Sequence, residues 1–99
     1  ESDKVNNFSC KKLKQIESKL SGSKLHHEFI KVEKLIAEKC LPKDYEKQET
    51  FLKIGTQYHV YVGDFKRARY YYNKSININP DSDFALNAYQ RLSSIETVQ

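Results

Sequence analysis

Tryptophan and methionine are absent from these 99 residues, and the usual breakers of regular structure are scarce, with two prolines and three glycines. A sandwich or barrel of many short strands needs frequent turns, so this scarcity argues against both folds. A hydrophobic content of 38% is too high for a disordered chain. Long helices around a shared core remain, and the length suits one domain over residues 1–99.

Membrane-spanning and secretory signals are also missing. No run approaches the roughly 20 apolar residues that a transmembrane helix requires. The first residues, ESDKVNN, lack the basic-then-apolar order of a secretory signal peptide. The chain starts at Glu1 rather than at Met. We therefore expect a soluble piece of a longer protein without a membrane partner.

Only two cysteines are present. Cys10 lies twelve residues before Gly22, the centre of the first predicted hairpin, and Cys40 lies eighteen residues after it. The mismatch of six residues corresponds to about 9 Å of helix, whereas a disulfide tolerates Cα atoms up to about 7 Å apart. We therefore expect two reduced thiols and a cytoplasmic or nuclear location.

Apolar residues recur every three or four positions along most of the chain, which is the spacing of amphipathic helices. Five helices are predicted, at about residues 9–20, 24–40, 45–62, 65–78 and 83–96. Ser23, Asp44 and Asp64 stand where they would cap the second, third and fourth helices. The second helix carries an apolar stripe of Leu25, Phe29, Val32, Ile36 and Cys40, and the fifth carries Phe84, Ala85 or Ala88, Tyr89, Leu92 and Ile95. Short turns between helices predict an all-α, antiparallel stack of helix hairpins.

Residues 51–80 carry the spacing of one repeat family. An aromatic residue is followed by an apolar-Gly pair and a Tyr, and after a turn come Gly-Asp-aromatic, a small residue, an aromatic, a second small residue and a Pro. The positions are Phe51, Ile54-Gly55, Tyr58, Gly63-Asp64-Phe65, Ala68, Tyr72, Ser75 and Pro80. This segment resembles a tetratricopeptide repeat, with Ser in place of the second Ala and one extra residue between Tyr58 and Gly63.

The resemblance implies about two repeats followed by a C-terminal capping helix. Gly55 and Ala68 would be small because the two helices of a hairpin cross there. Family members usually bind a peptide or helix of a protein partner in a groove lined by the first helix of each hairpin. By position, the groove residues here would be Glu49, Leu52, Lys53, Thr56, His59 and Val60. Glu49 stands where a chaperone-binding subset of the family has a Lys, so that carboxylate clamp is not expected.

Catalytic and metal-binding motifs are not found. His26 and His27 are neighbours on a helix and point about 100° apart, so they do not chelate one metal ion. There is no phosphate-binding glycine loop, and neither cysteine has a paired base in the sequence. We expect no enzyme activity, no metal and no cofactor.

Two other functions compete with protein binding. Basic and aromatic residues on the fourth helix could bind RNA through phosphate contacts and stacking; they are Arg67, Arg69, Tyr70, Tyr71 and Lys74. A structural dimerisation unit is the other alternative, because so few repeats leave end faces uncovered. The chain is expected to be a monomer or a weak homodimer.

Overall fold

The computed structural model describes residues 5–98, with side chains through Glu96, and that range contains no strand. The prediction of an all-α fold is confirmed. The chain divides into two compact units, Glu1–Leu41 and Pro42–Gln99, and one domain over the whole chain stays a prediction. The first unit holds α1 (Cys10–Leu20) and α2 (His26–Lys39). The second holds α3 (Asp44–Thr56), a π-helical segment (Gln57–Val62), α4 (Phe65–Ile78) and α5 (Asp83–Val98).

The first unit is a hairpin of α1 and α2. Ser9 caps α1, because its Oγ accepts a hydrogen bond from the Lys12 backbone N–H at 3.2 Å. The two helices bury Leu13, Val32 and Ile36 between them. Six partly buried apolar residues, some of them near the ends of the hairpin, pack against this core: Phe8, Ile16, Leu20, Leu35, Cys40 and Leu41.

The loop between α1 and α2 is longer than predicted. Ser23 does not cap α2, because its Oγ accepts from the backbone N–H of Leu25 at 3.2 Å within the turn. The helix therefore starts at His26 rather than at residue 24. Leu25, which was assigned to the apolar stripe, is 51% exposed.

Cys10 and Cys40 form a disulfide, and the prediction of reduced thiols is wrong. Their Cα atoms lie 5.5 Å apart, within the range that a bridge requires. The error came from placing the centre of the hairpin at Gly22. Because residues 21–25 all belong to the loop, its middle lies nearer Ser23, and the offset between the cysteines is smaller than the sequence count suggests. The inference of a cytoplasmic or nuclear location rested on free thiols and loses that support.

The π-helical segment Gln57–Val62 lies where the sequence pattern has one extra residue between Tyr58 and Gly63. A π turn accommodates one more residue than an α turn within a continuing helix. The helix then closes on Gly63, whose φ of 80° is the left-handed conformation that suits glycine. The Tyr58 carbonyl accepts hydrogen bonds from the backbone N–H groups of Gly63 and Asp64. α4 starts at Phe65, with Asp64 as its cap, as predicted.

The serine that replaces alanine in the repeat pattern has a structural role. Ser75 is fully buried, and its Oγ donates to the Gln48 carbonyl at 2.8 Å. In return, the Gln48 amide donates to the carbonyls of Ser75 and Asn79, both at 2.9 Å. These bonds join the start of α3 to the end of α4, and the Gln48 side chain is paired although it is only 1% exposed.

Replacing Ser75 by Ala should lower the free energy of unfolding by about 1 kcal/mol, because one buried hydrogen bond is lost while the fit is kept. Urea denaturation followed by circular dichroism measures the change. The exposed Asn73→Ala on the same helix is the control and should change stability much less. Equal stability of wild type and Ser75→Ala would show that the bond contributes nothing.

The last helix, α5, packs against the rest of the second unit through small residues. Ala85, Ala88 and Ile95 are inaccessible to solvent, as expected. Tyr89, which was assigned to the inward stripe, is instead 51% exposed, and Leu86 is 58% exposed. The buried stripe therefore runs through Ala85, Ala88 and Ile95, whereas Leu86 and Tyr89 face outward.

Candidate functional site

The predicted groove residues do not all lie on an open surface. Glu49 and Lys53 are exposed on α3, and Val60 is 54% exposed on the π-helical segment. Leu52 is only 9% exposed, so its assignment to an exposed groove is wrong. α3 buries Gln48, Thr50, Leu52, Ile54 and Gly55, which point in several directions around the helix at about 100° per residue. α3 is therefore covered on several sides.

Thr56 and His59 are half-buried beside the exposed residues. The Thr56 hydroxyl donates to the Leu52 carbonyl at 2.9 Å, within α3. The His59 Nδ1 lies 3.1 Å from the Tyr72 hydroxyl. The His59 ring also meets Phe65 and Tyr72 edge-on, with ring centroids 5.8 and 6.0 Å away. The imidazole is therefore held in one orientation by two aromatic rings and a hydrogen bond.

Tyr72 is the centre of this polar cluster. Its side chain is inaccessible to solvent, and burial raises the pKa of its hydroxyl. Hydrogen bonds with Thr56 and Arg91 and the positive charge of Arg91 act on the pKa in the opposite direction. Side chains from α3, the π-helical segment, α4 and α5 thus converge on one phenol.

Arg91 is the member of the cluster that sequence reasoning missed. Its Nε donates to the Asn87 Oδ1 at 3.0 Å, one turn earlier on α5. Phe84 and Ala88 were predicted in the apolar stripe of this helix, where Ala88 is fully buried and Phe84 half-buried. The spacing of four between Asn87 and Arg91 indicates a shared helix face, although not which neighbour that face meets.

The arrangement keeps His59 neutral near pH 7. Burial lowers the pKa of the imidazole below its ordinary value of 6.5, and the positive charge of Arg91 lowers it further. Protonation would place a second positive charge beside Arg91 in a half-buried position. Mild acidification therefore does not charge this residue in the folded state as readily as in a free histidine.

This pKa shift predicts that acid weakens the fold. The unfolded chain takes up the proton near pH 6.5 while the folded chain resists it, so the contribution of His59 is present above that pH and is lost as pH falls through the lowered folded pKa. Urea denaturation at about pH 7.5 and about pH 5.5 should show a larger loss for wild type than for His59→Gln. His27→Gln, at an exposed position, should behave as wild type. An equal loss in wild type and His59→Gln would contradict the assignment.

The basic and aromatic set on α4 is largely engaged within the protein. Arg67 forms an ion pair with Asp64 at 2.6 Å. The Lys74 ammonium lies over the rings of Phe51 and Tyr70, 5.0 and 5.4 Å from their centroids. The Nη1 of Arg69 is buried rather than presented to solvent. Arg67 itself stays exposed, with 65% of its side chain accessible to solvent.

The aromatic residues of the repeat pattern belong to the packing of the α3–α4 hairpin. Tyr58 and Tyr72 are buried, and Phe51 and Phe65 are half-buried. Tyr71 stacks on Tyr58 with ring centroids 5.8 Å apart. These burials and ring contacts show that the four aromatic residues pack within the hairpin.

Within residues 5–98, no three His, Cys, Asp or Glu side chains come together in a group suited to a metal ion. No helix in that range is long and apolar enough to cross a membrane.

Comparisons with protein-family models, curated proteins and solved structures found no match to this chain.

Proposed function

We propose that the second unit is a tetratricopeptide-like module that binds a segment of a partner protein. The binding surface, here called the groove surface, consists of Glu49, Lys53, Thr56, His59, Val60 and Arg91. One observation carries the proposal: α5 brings Arg91 to the same buried phenol, Tyr72, that fixes His59. The predicted groove residues of α3 and the last helix therefore share one site.

The repeat-like packing supports this proposal. A Cβ atom at Gly55 would lie 2.6 Å from Cδ1 of Tyr72, so α3 and α4 approach each other closely at the expected glycine. Ala68 is fully buried, as expected for the second small residue. A rigid hairpin of this kind can hold a binding surface in place without a cofactor, and no catalytic role is proposed.

The charges of the groove surface favour an acidic partner segment with an apolar side chain. Lys53 is exposed and Arg91 half-exposed, so both can reach carboxylates of a bound chain. Val60 offers an exposed apolar contact. Glu49 lies one helical turn before Lys53 and would repel an acidic residue there, which sets a preferred position for the partner's negative charge.

RNA binding through the basic and aromatic residues of α4 stays the alternative function, and the buried Nη1 of Arg69 and the ring contacts of Lys74 weigh against it. A monomer or weak homodimer stays a prediction. The disulfide favours an oxidising compartment over the cytoplasm or nucleus.

A charge-reversal experiment tests the groove surface. Lys53→Glu combined with Arg91→Glu should weaken capture of the partner by at least about tenfold, because two attractive contacts become repulsive. Proteins captured from extract by immobilised wild type are identified by mass spectrometry, and the affinity of each is then measured for both forms.

The matched control combines Lys24→Glu with Lys66→Glu, which makes the same change in net charge at exposed positions outside the groove surface. It should bind like wild type. Circular dichroism melts of both double variants separate lost binding from lost folding. The proposal fails if the control loses the partner while the folded groove variant retains it.

A further inference from the structure

A cavity of about 570 Å³ lies within the first unit. This volume is in the range of pockets that hold one small organic ligand, about 300–1000 Å³. Its apolar lining comes from Val5, Ile16, Leu20 and Val32. None of these side chains is aromatic, so the surface suits a flexible aliphatic chain better than a flat ring.

The polar groups of the cavity all come from one stretch of α2. His27, Glu28 and Lys31 line it. His27 and Lys31 are four residues apart, so they lie on the same face of the helix. All three side chains are exposed. The cavity therefore has an aliphatic side and a polar edge.

The Val5 wall of the cavity is fixed to the rest of the hairpin. The Lys39 ammonium donates to the carbonyls of Asn6 and Phe8, at 2.8 and 3.4 Å. The disulfide from Cys10 to Cys40 joins the same ends of the chain. The segment that carries Val5 is thus held against the end of α2 by two independent links.

The net positive charge of the first unit favours an anionic ligand. Residues 1–41 contain nine lysines and six acidic residues, an excess of three positive charges. At the cavity edge, Lys31 supplies an ammonium group and His27 an imidazole. Glu28 opposes an anion, but it lies three residues from Lys31, where the two side chains can pair along the helix.

We propose that this cavity binds a single-chain amphiphile with a carboxylate head. The aliphatic chain lies against Ile16, Leu20 and Val32, and the carboxylate meets Lys31 and His27. The site lies wholly in the first unit, and its existence does not depend on the groove surface of the second.

Octanoate and decanoate, used below the concentrations at which they form micelles, are suitable probes. Binding should be saturable by titration calorimetry, and each added methylene should tighten it by about fourfold until the cavity is full. In methyl NMR spectra, the signals of Val5, Ile16, Leu20 and Val32 should shift, and those of Leu86 in α5 should not. Decanol should bind more weakly than decanoate, because it lacks the charge.

Three variants test the contacts separately. Lys31→Gln should weaken decanoate by about three- to fivefold and leave decanol unchanged. Lys24→Gln, an exposed lysine outside the cavity, makes the same charge change and should leave decanoate binding as in wild type. Glu28→Gln should tighten decanoate binding, because it removes the negative charge that opposes the anion.

The proposal is overturned if decanoate shows no saturable binding, or if decanol binds as tightly as decanoate. It is also overturned if Lys24→Gln weakens binding as much as Lys31→Gln, since a diffuse charge effect would then suffice. Binding of an acidic peptide with no binding of decanoate would instead assign this cavity to a protein partner.

Discussion

Removal of the Cys10–Cys40 bridge is expected to lower the free energy of unfolding of the first unit by about 3 to 4 kcal/mol. The two cysteines are 30 residues apart, and closing a loop of this size restricts the unfolded chain by about that amount. The buried core cluster of this hairpin is small and consists of Leu13, Val32 and Ile36. Thermal melts of Cys10→Ser and Cys40→Ser, followed by circular dichroism, measure the loss.

Both single variants and the double variant should lose the same stability, because each removes the same bond. Reductant should lower the wild-type midpoint to theirs and leave the variants unchanged. Intact mass gives an independent readout, since wild type gains two hydrogen atoms when the bridge is reduced. An unchanged mass and an unchanged midpoint would show that the thiols are free.

Gly55→Ala is expected to destabilise the second unit by about 1 to 3 kcal/mol, the range for overpacking a core. Alanine is ordinarily better than glycine inside a helix by about 1 kcal/mol, so the substitution should stabilise if α3 were free at this point. Instead the new methyl would lie 2.6 and 2.7 Å from Cδ1 and Cε1 of Tyr72. The Tyr72 ring is fully buried and bonded to His59, so it has no space into which to move.

A double-mutant cycle with Tyr72→Leu isolates this contact. In the Tyr72→Leu background, Gly55→Ala should be neutral or stabilising, because the ring that it would meet is gone. Urea denaturation of the four proteins gives the coupling energy. A loss that is the same in both backgrounds would place the cause elsewhere than at Tyr72.

The bounds of a helix could be predicted where a local interaction fixes its start or its end. The fourth helix was predicted at residues 65–78 and is observed at Phe65–Ile78. Asp64 caps its start through the Arg67 backbone N–H, and the break before Pro80 ends it. Both determinants are readable within a few residues. The same holds for Gly55, because a glycine inside an amphipathic stripe indicates a close helix approach.

Other features depend on contacts that periodicity does not encode. The cysteine pairing depends on the length of the loop after Leu20. That loop is longer than predicted, because Ser23 bonds within the turn instead of capping α2. The burial of Leu52 required knowing that α3 is covered on several sides. Arg91 joined the candidate site only because α5 packs beside α4 and brings it to Tyr72.

The central claim is that the groove surface receives an acidic segment of a partner. Amide and side-chain NMR spectra of the protein, titrated with the segment of a captured partner, test it most directly. The account predicts that the largest shifts fall on Lys53, His59, Val60 and Arg91, and that the exposed Tyr70 on α4 stays unchanged. Shifts confined to Tyr70 and Lys74, with none at His59 or Arg91, would contradict the account and assign binding to the outer face of α4.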